Sequence, residues 1–158
     1  MDKLKKTYEQ DIQEKNIRII FDNLTLSLMM EVNVEQFSKV LAGILKNSMY
    51  ALLKKSETVT FSPEIFLGLK VNKDMLEITI RDNGSGIDEN IKDKIFAPFF
   101  TTKTTGEAAG VGLYLCREIV QNHRGTIEVE SKKGEYTQFL ITIPVYQPKT
   151  ITPPKEEE

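Results

Sequence analysis

Two stretches with apolar side chains at every second position, joined by a three-residue turn, constrain the fold of this 158-residue chain most. The stretches cover residues 65–71 and 76–80. Successive side chains of a strand point to opposite faces of the sheet, so each stretch predicts a strand with one buried face. The Asn-Lys-Asp sequence at 72–74 is typical of a hairpin turn, which predicts that the two strands are antiparallel.

Helical periodicity is strongest between residues 33 and 55, where apolar side chains recur at intervals of three and four. Asn33 and Gln36 form a capping-box pattern at its start. A second helix is predicted over 112–123, and Gly125 follows it at a position where helices commonly stop. Further strands are predicted at 17–21, 24–28, 126–131 and 137–145.

The order of these elements predicts an α+β fold rather than a doubly wound one. We expect a two-layer α/β sandwich, in which a mixed, mostly antiparallel sheet carries its helices on one face. Three segments are predicted along the chain: a helical or linker segment at 1–16, a folded domain at 17–146, and a disordered tail at 147–158. The tail is rich in proline and charge and has little to bury.

Composition excludes several classes of protein. A net charge of -2 argues against a nucleic-acid-binding or polybasic membrane-anchoring segment. Cys116 is the only cysteine, so no disulfide forms within the chain and a cytoplasmic location is favoured. No apolar run approaches the roughly 20 residues of a transmembrane helix. We therefore predict no contact of this segment with nucleic acid or membrane.

The segment Asp82-Asn83-Gly84-Ser85-Gly86 follows directly on a predicted buried strand. A carboxylate at the end of such a strand can accept a hydrogen bond from an exocyclic amine, and glycines let the backbone approach a ligand closely. The same residue types also form plain turns, which is the alternative reading of this segment.

Asn47 lies beside the apolar stripe of the first helix, on the side that also carries Gly43, Tyr50 and Lys54. An amide oxygen at the edge of a core suits Mg²⁺, which prefers hard oxygen ligands together with phosphate and water. A boundary residue bonded to water is the alternative for Asn47.

Two further segments are suited to phosphate. In the sequence IFAPFFTTK at 95–103, three phenylalanines can anchor the base of a loop, and Thr101, Thr102 and Lys103 offer hydroxyls and a cation. Residues 101–110 contain many small side chains, as a closing lid requires. Residues 110–113 open the second helix, where unpaired N–H groups and the helix dipole favour anions.

These strings resemble the family that unites histidine kinases, DNA gyrase, mismatch-repair ATPases and the ATP-driven heat-shock chaperones. LAGILKNSMYAL at 41–52 resembles the N box, 82–86 the first glycine box, 95–103 the F box, and GVGLYL at 110–115 the second glycine box. The resemblance extends over roughly 17–145, with all four boxes in the family's order.

The resemblance implies a Bergerat-type ATP-binding fold that uses ATP and Mg²⁺. It implies that Asp82 binds the adenine amino group, that Asn47 holds the metal, and that Lys103 contacts phosphate. The residues predicted to contact the nucleotide are Asn47, Tyr50, Ala51, Lys54, Asp82, Gly84, Gly86, Ile87, Phe99, Thr101, Thr102, Lys103, Gly110, Val111, Gly112 and Leu113. Asn47 and Lys103 are also predicted to be catalytic.

The chain departs from the family pattern at Gly43. Many histidine kinases carry Asn there, and the hydrolysing branches carry a Glu that acts as general base. Gly43 supplies neither, which argues against ATP hydrolysis of the gyrase type. Phosphoryl transfer to another group remains open, because it depends mainly on positioning and charge stabilisation. A second departure is Ala108-Ala109, which stand in the lid where Gly-Thr is usual.

The chain is predicted to be the catalytic ATP-binding domain of a two-component sensor histidine kinase, which transfers the γ-phosphate of ATP to a histidine. The parent kinase can be membrane-anchored under this prediction. The only histidine, His123, is predicted to be structural. The acceptor histidine is therefore expected on a dimerisation domain of the parent chain or on a separate protein, with a response regulator downstream. Two alternatives stay open: a serine kinase of the anti-sigma-factor type, and a nucleotide-sensing module without transfer activity.

Overall fold

The computed structural model describes residues 9–10, 12–22, 32–102 and 112–145. Its elements, in chain order, are β1 (Arg18–Asp22), α1 (Val34–Ser56), β2 (Glu64–Asn72), β3 (Met75–Asp82), α2 (Glu89–Lys92), α3 (Gly112–Asn122), β4 (Thr126–Lys132) and β5 (Tyr136–Pro144). The short helix α2 was not predicted. The strand predicted at 24–28, the lid residues 103–111 and the tail at 147–158 lie outside the described residues.

The described strands form one sheet in the order β1-β2-β3-β5-β4. β1 runs parallel to β2, and every other neighbouring pair is antiparallel. α1 and α3 pack against each other, and they contact the sheet through β3 and β4 respectively. The mixed, mostly antiparallel sheet with its helices confirms the predicted α+β fold class. None of the described helices is long and apolar enough to cross a lipid bilayer.

The inward-facing rows of β3 and β5 form the centre of the core. Ile78 pairs with Ile141 across the two strands, and Ile80 pairs with Phe139; all four side chains are buried. Both rows then end in a polar residue, because the next inward pair in the register is Asp82 and Thr137. The apolar alternation that builds the sheet therefore carries two polar side chains into the interior at one end.

The start of α1 is fixed by two residues. The side chain of Asn33 accepts a hydrogen bond from the Gln36 N–H at 3.0 Å, so the predicted N-cap is confirmed. The N–H of Asn33 itself donates to Nε2 of His123 at 2.9 Å. The other ring nitrogen, Nδ1, lies 2.7 Å from the carbonyl oxygen of Ile119 and donates to it. His123 therefore joins the end of α3 to the start of α1, which is a structural role.

The end of α3 differs from the prediction by one residue. Arg124, rather than Gly125, takes the left-handed conformation, with a φ of 58°. The N–H of Gly125 donates to the Val120 carbonyl at 2.9 Å, and that of Arg124 donates to Gln121, as in a Schellman motif. Glycine is required at 125 for another reason: a Cβ there would stand 2.4 Å from the carbonyl oxygen of Thr142.

Candidate functional site

A cavity of about 590 Å³ opens between α1, the end of β3 and the start of α3. The segment 85–88, the F-box segment and the turn between β4 and β5 complete its wall. Of the residues predicted to contact a nucleotide, the wall contains Asn47, Tyr50, Ala51, Lys54, Asp82, Gly86, Ile87, Thr101, Thr102, Gly112 and Leu113. Lys103, Gly110 and Val111 lie outside the described residues.

Asp82 forms the most deeply buried acidic part of this wall, with 2% of its surface exposed. One carboxylate oxygen, Oδ1, accepts the Gly84 N–H at 3.0 Å. Burial raises the pKa of the carboxyl from 3.8 to about 6, and the Gly84 hydrogen bond only partly opposes this. The buried hydroxyl of Ser48 also lowers this pKa, although its Oγ has no hydrogen-bond partner of good geometry among the described residues.

Gly84 lets the chain after β3 pass directly over α1. A Cβ on Gly84 would stand 2.7 Å from the backbone carbon of Ala51 and 2.8 Å from Oδ1 of Asp82. The next residue, Ser85, donates its N–H to the carbonyl of Ala51 at 3.1 Å. Gly84 does not line the cavity itself. It holds Asp82 and α1 together instead, and no larger residue fits there.

Gly86 is held against the turn between β4 and β5. Its φ is 63°, and a Cβ would stand 2.2 Å from the carbonyl oxygen of Lys132. Two hydrogen bonds fasten the same segment: the Gly134 N–H donates to the Ser85 carbonyl at 2.7 Å, and the Ile87 N–H donates to Oγ of Ser131 at 2.8 Å. The C-terminal hairpin therefore builds one side of the cavity.

Asn83, the variable position of the first glycine box, has a structural role. Its Oδ1 accepts the Glu64 N–H at 2.8 Å, and its Nδ2 donates to the Ser62 carbonyl at 2.8 Å. The ammonium group of Lys55 donates to the Asn83 carbonyl at 2.7 Å. These contacts tie the glycine-rich segment to the start of β2 and to the end of α1.

In the N-terminal half of α1, the thiol of Cys116 occupies the space beside Gly43. A Cβ on Gly43 would stand 2.9 Å from the Cys116 Sγ. The thiol is 3% exposed and donates weakly to the Val40 carbonyl at 3.7 Å. Burial raises the pKa of this thiol to about 11, so it is neutral at pH 7. Asn47, one turn after Gly43, lies half-buried in the cavity wall.

The three F-box phenylalanines differ in burial and in whether they line the cavity. Phe96 is buried and meets Phe139 edge-on, with ring centroids 6.3 Å apart, and Phe100 packs against the core and lines the cavity. Phe99 is 79% exposed and lies outside the cavity wall, so the structure does not bring this predicted contact residue to the site. The cause is local: Phe99 follows Pro98 with a φ of 61°, and the Phe100 N–H bonds back to Ala97, as in a type II turn.

Several wall residues were missed by sequence analysis. Thr137 is 4% exposed and faces the cavity beside Asp82. It is a polar residue in an otherwise apolar inward row, and that interruption is the sequence signal that could have identified it.

Lys133 comes from the turn between β4 and β5, and its Nζ lies 2.7 Å from Oδ2 of Asp88. This hydrogen bond lowers the pKa of Asp88. Lys46, Ser85, Ile91 and Ile95 also line the wall.

Comparison with known proteins identifies the family. A profile described as histidine kinase-, DNA gyrase B- and HSP90-like ATPase matches residues 33–147. The chain belongs to this ATPase family. The match covers the cavity wall from α1 to the end of β5 and confirms the predicted family.

Relatives of this ATPase family member include signalling proteins much longer than the chain. It is 34% identical over 148 residues to cyanobacterial phytochrome A of Nostoc sp., a match that covers 92% of the chain and 18% of the phytochrome. It is 35% identical over 113 residues to sporulation kinase E of Bacillus subtilis, covering 71% of the chain and 14% of the kinase. The chain therefore spans less than a fifth of the length of either relative.

Among solved structures, the catalytic domain of the histidine kinase ThkA superposes with a TM-score of 0.74 at 28% sequence identity. The superposition covers 90% of the chain and 88% of the ThkA domain. Because the two chains match over nearly their full lengths, this family member is a catalytic, ATP-binding domain of the histidine kinase type.

Proposed function

We propose that this chain binds ATP with Mg²⁺ in the cavity and transfers the γ-phosphate to a histidine on a separate dimerisation domain. That domain belongs either to the parent chain or to another protein, and a response regulator receives the phosphoryl group downstream. The cytoplasm is the proposed location. The single observation that carries the proposal is the Asp82 carboxyl, which is 2% exposed and lines the cavity.

Asp82 has no salt bridge to any residue in the described ranges; a buried carboxyl of this kind is costly, and its position in a cavity wall favours a ligand-binding role. Gly84 occupies one oxygen of Asp82, which leaves acceptor capacity for an amine. The adenine amino group is such a donor. Ala51, Gly86 and Ile87 would enclose the base, and Tyr50 and Lys54 would flank it from α1.

The described residues suit Mg²⁺ only as a companion of phosphate. They contain no group of three or more His, Cys, Asp and Glu side chains that could hold a metal alone. Mg²⁺ commonly keeps several waters and binds through few protein ligands plus phosphate oxygens. The half-buried amide of Asn47 in the cavity wall fits that requirement. Bound there, the ion would neutralise phosphate charge.

The remaining predicted contacts concern the phosphates. Thr101 and Thr102 line the cavity, and their hydroxyls would donate to phosphate oxygens. Lys103 and the 110–113 helix start are proposed to complete this end, by the family resemblance. Phe99 is left out, because its side chain points to solvent.

Transfer would rest on positioning and charge stabilisation, without a covalent nucleophile from this chain. His123 is unsuited as an acceptor, because both its ring nitrogens bond to backbone groups. The phosphoryl group would pass directly from ATP to the imidazole of the partner domain. The protein would hold the two reactants in line.

The test is incubation of the chain with γ-labelled ATP and a histidine-containing helical hairpin supplied as a separate chain. We expect label on the hairpin, and we expect Asp82→Ala to abolish it. Label that survives acid would indicate phosphoserine and the serine-kinase alternative, because phosphohistidine is acid-labile. Absence of nucleotide binding by the wild-type chain would refute the proposal.

One observation favours a second candidate, a nucleotide-sensing module without transfer activity. The neutral Cys116 thiol fills the space beside Gly43. The Gly43 position of α1 therefore offers no oxygen ligand for Mg²⁺. Titration of ATP with and without Mg²⁺ separates the two candidates. A kinase domain should bind ATP more tightly with Mg²⁺, whereas equal affinities together with no label transfer would favour the sensing module.

A further inference from the structure

The two ends of the cavity can be told apart from the contacts of α1. Its C-terminal half meets the glycine-rich segment, because the Ala51 carbonyl accepts the Ser85 N–H. Its N-terminal half meets α3, because Gly43 faces the Cys116 thiol. A nucleotide whose base reaches Asp82 therefore directs its phosphates along α1 toward Gly43.

Three lysines line the described part of the cavity wall, and they lie at different points on this axis. Lys133 is at the base end, where its charge is matched by Asp88. Lys54 lies eight residues after Lys46 along α1, which is about 12 Å at the rise of an α-helix. Lys46 is thus the lysine nearest to Gly43, three residues away and adjacent in sequence to Asn47.

Lys46 also has its charge available. It is exposed, and it forms no ion pair or hydrogen bond with any other residue in the described ranges. The carboxylates in the described wall are those of Asp82, at the base end, and Asp88, which binds Lys133. Nothing among these groups neutralises Lys46 before a ligand enters.

At this level of α1, neither Gly43 nor Cys116 supplies a charged group or an oxygen ligand. Gly43 has no side chain, and the thiol beside it is neutral because burial raises the pKa of Cys116. A triphosphate brought to this end would meet the amide of Asn47 and the ammonium of Lys46 on α1. Lysine suits this position, since its flexible four-carbon stem carries a compact charge from the rim to a phosphate.

We infer that Lys46 binds the terminal phosphates of the nucleotide and supplies a charged contact on α1 at the level where Gly43 has no side chain. The inference rests on the proposed function, because it requires a nucleoside triphosphate in the cavity with its base at Asp82. Lys46 is then a phosphate-positioning residue whose contribution grows with the number of phosphates.

The test compares the wild-type chain with Lys46→Gln and Lys46→Arg by calorimetric titration with adenosine, ADP and ATP in the presence of Mg²⁺. A charge-assisted hydrogen bond predicts that Lys46→Gln weakens ATP binding roughly tenfold or more. Adenosine affinity should change less than about twofold, and Lys46→Arg should recover most of the ATP affinity, because it keeps the charge.

Lys39→Gln is the matched control. Lys39 lies on the same helix, pairs with Glu35 at 3.0 Å and is absent from the cavity wall. Its substitution should leave the affinity for all three ligands unchanged. Thermal unfolding of each variant checks that the fold is intact, which we expect because Lys46 and Lys39 are both exposed.

The outcomes separate this inference from the proposed function. If the wild-type chain binds ATP and Lys46→Gln binds it equally well, the role of Lys46 is overturned and ATP binding stands. Equal weakening of adenosine and ATP by Lys46→Gln would also overturn the role, since it would indicate a contact with the base or ribose. If the wild-type chain binds no ATP, both proposals fall.

Discussion

The Sγ atom of Cys116 stands 2.9 Å from the point that a Cβ on Gly43 would occupy. The two residues belong to different helices, α1 and α3, and each limits the size of the other. The contact explains why the helix tolerates a glycine in its interior, although glycine there costs about 1 kcal/mol relative to alanine. The thiol takes the volume that a side chain would have filled.

We predict that Gly43→Ala and Cys116→Ala are coupled. Alone, Gly43→Ala should destabilise the chain, because crowding against the thiol costs about 1–3 kcal/mol and outweighs the gain in helix propensity. In a Cys116→Ala background the same change should stabilise by about 1 kcal/mol, because the crowding is gone. Urea unfolding of the four proteins gives the coupling free energy. Strict additivity of the two substitutions would contradict the packing described here.

Asp82→Asn should change the pH dependence of stability. Because the pKa of Asp82 is raised to about 6 in the folded chain, the folded state binds more protons than the unfolded state between pH 3.8 and 6. Rising pH therefore removes stability across this window, and above pH 7 the full cost of about 3 kcal/mol is present. The asparagine variant has no charge to bury.

The measurement is the free energy of unfolding of both proteins from pH 4 to pH 7, without nucleotide. The wild-type value minus the Asp82→Asn value should fall by about 2–3 kcal/mol across this range. Other titrating groups cancel in the difference. A difference that stays flat with pH would show that the carboxyl is not held in a desolvated state.

Gly86→Ala should destabilise far more than Gly134→Ala, although both glycines have positive φ values of 63° and 80°. At Gly134 a Cβ meets nothing within 4 Å, so only the backbone cost of about 1 kcal/mol applies. At Gly86 the Cβ would stand 2.2 Å from the Lys132 carbonyl oxygen, and the backbone must move. We expect a total of about 3 kcal/mol or more. Similar thermal shifts for the two variants would contradict the close packing of the C-terminal hairpin.

His123→Phe should destabilise the chain by about 1–3 kcal/mol, because it keeps a ring beside Phe37 but leaves the Asn33 N–H without its partner and removes the side-chain hydrogen bond to the Ile119 carbonyl. Gln121→Ala on the same turn is exposed and should change stability by less than about 0.5 kcal/mol. Chemical denaturation compares the two. If His123→Phe were as neutral as Gln121→Ala, the histidine would not join the two helices.

Local patterns were sufficient for the described strands and for the helices α1 and α3, but not for the short helix α2 or for the contacts between elements. The Asn33 cap and the alternating strands depend on neighbours in sequence, and the structure confirms them. Thr137 could not be paired with Asp82, because its place depends on the strand order and register of the sheet. The same holds for Cys116 and Gly43, which are far apart in the chain.

The F box shows a different limit. Its three phenylalanines were expected to anchor the base of a loop, and Phe96 and Phe100 do pack inward. The direction of Phe99 was decided by a positive φ after Pro98, which a composition of three phenylalanines does not indicate. The sequence also does not distinguish the lysines of α1 from one another. Lys46 and Lys39 lie on the same helix, and only the structure shows that Lys46 lines the cavity and Lys39 does not.

The position of β5 has a consequence for biosynthesis. β5 is the last strand described along the chain, yet it lies in the sheet between β3 and β4, and it supplies Thr137 and Phe139 to the cavity wall. A nascent chain synthesised only as far as residue 130 contains Asp82 and its neighbour β2, but it lacks β5, the strand that pairs with β3 on the other side. The cavity wall beside Asp82 is therefore completed only after β5 has been synthesised, and a fragment that ends before β5 leaves the β5-facing edge of β3 unpaired.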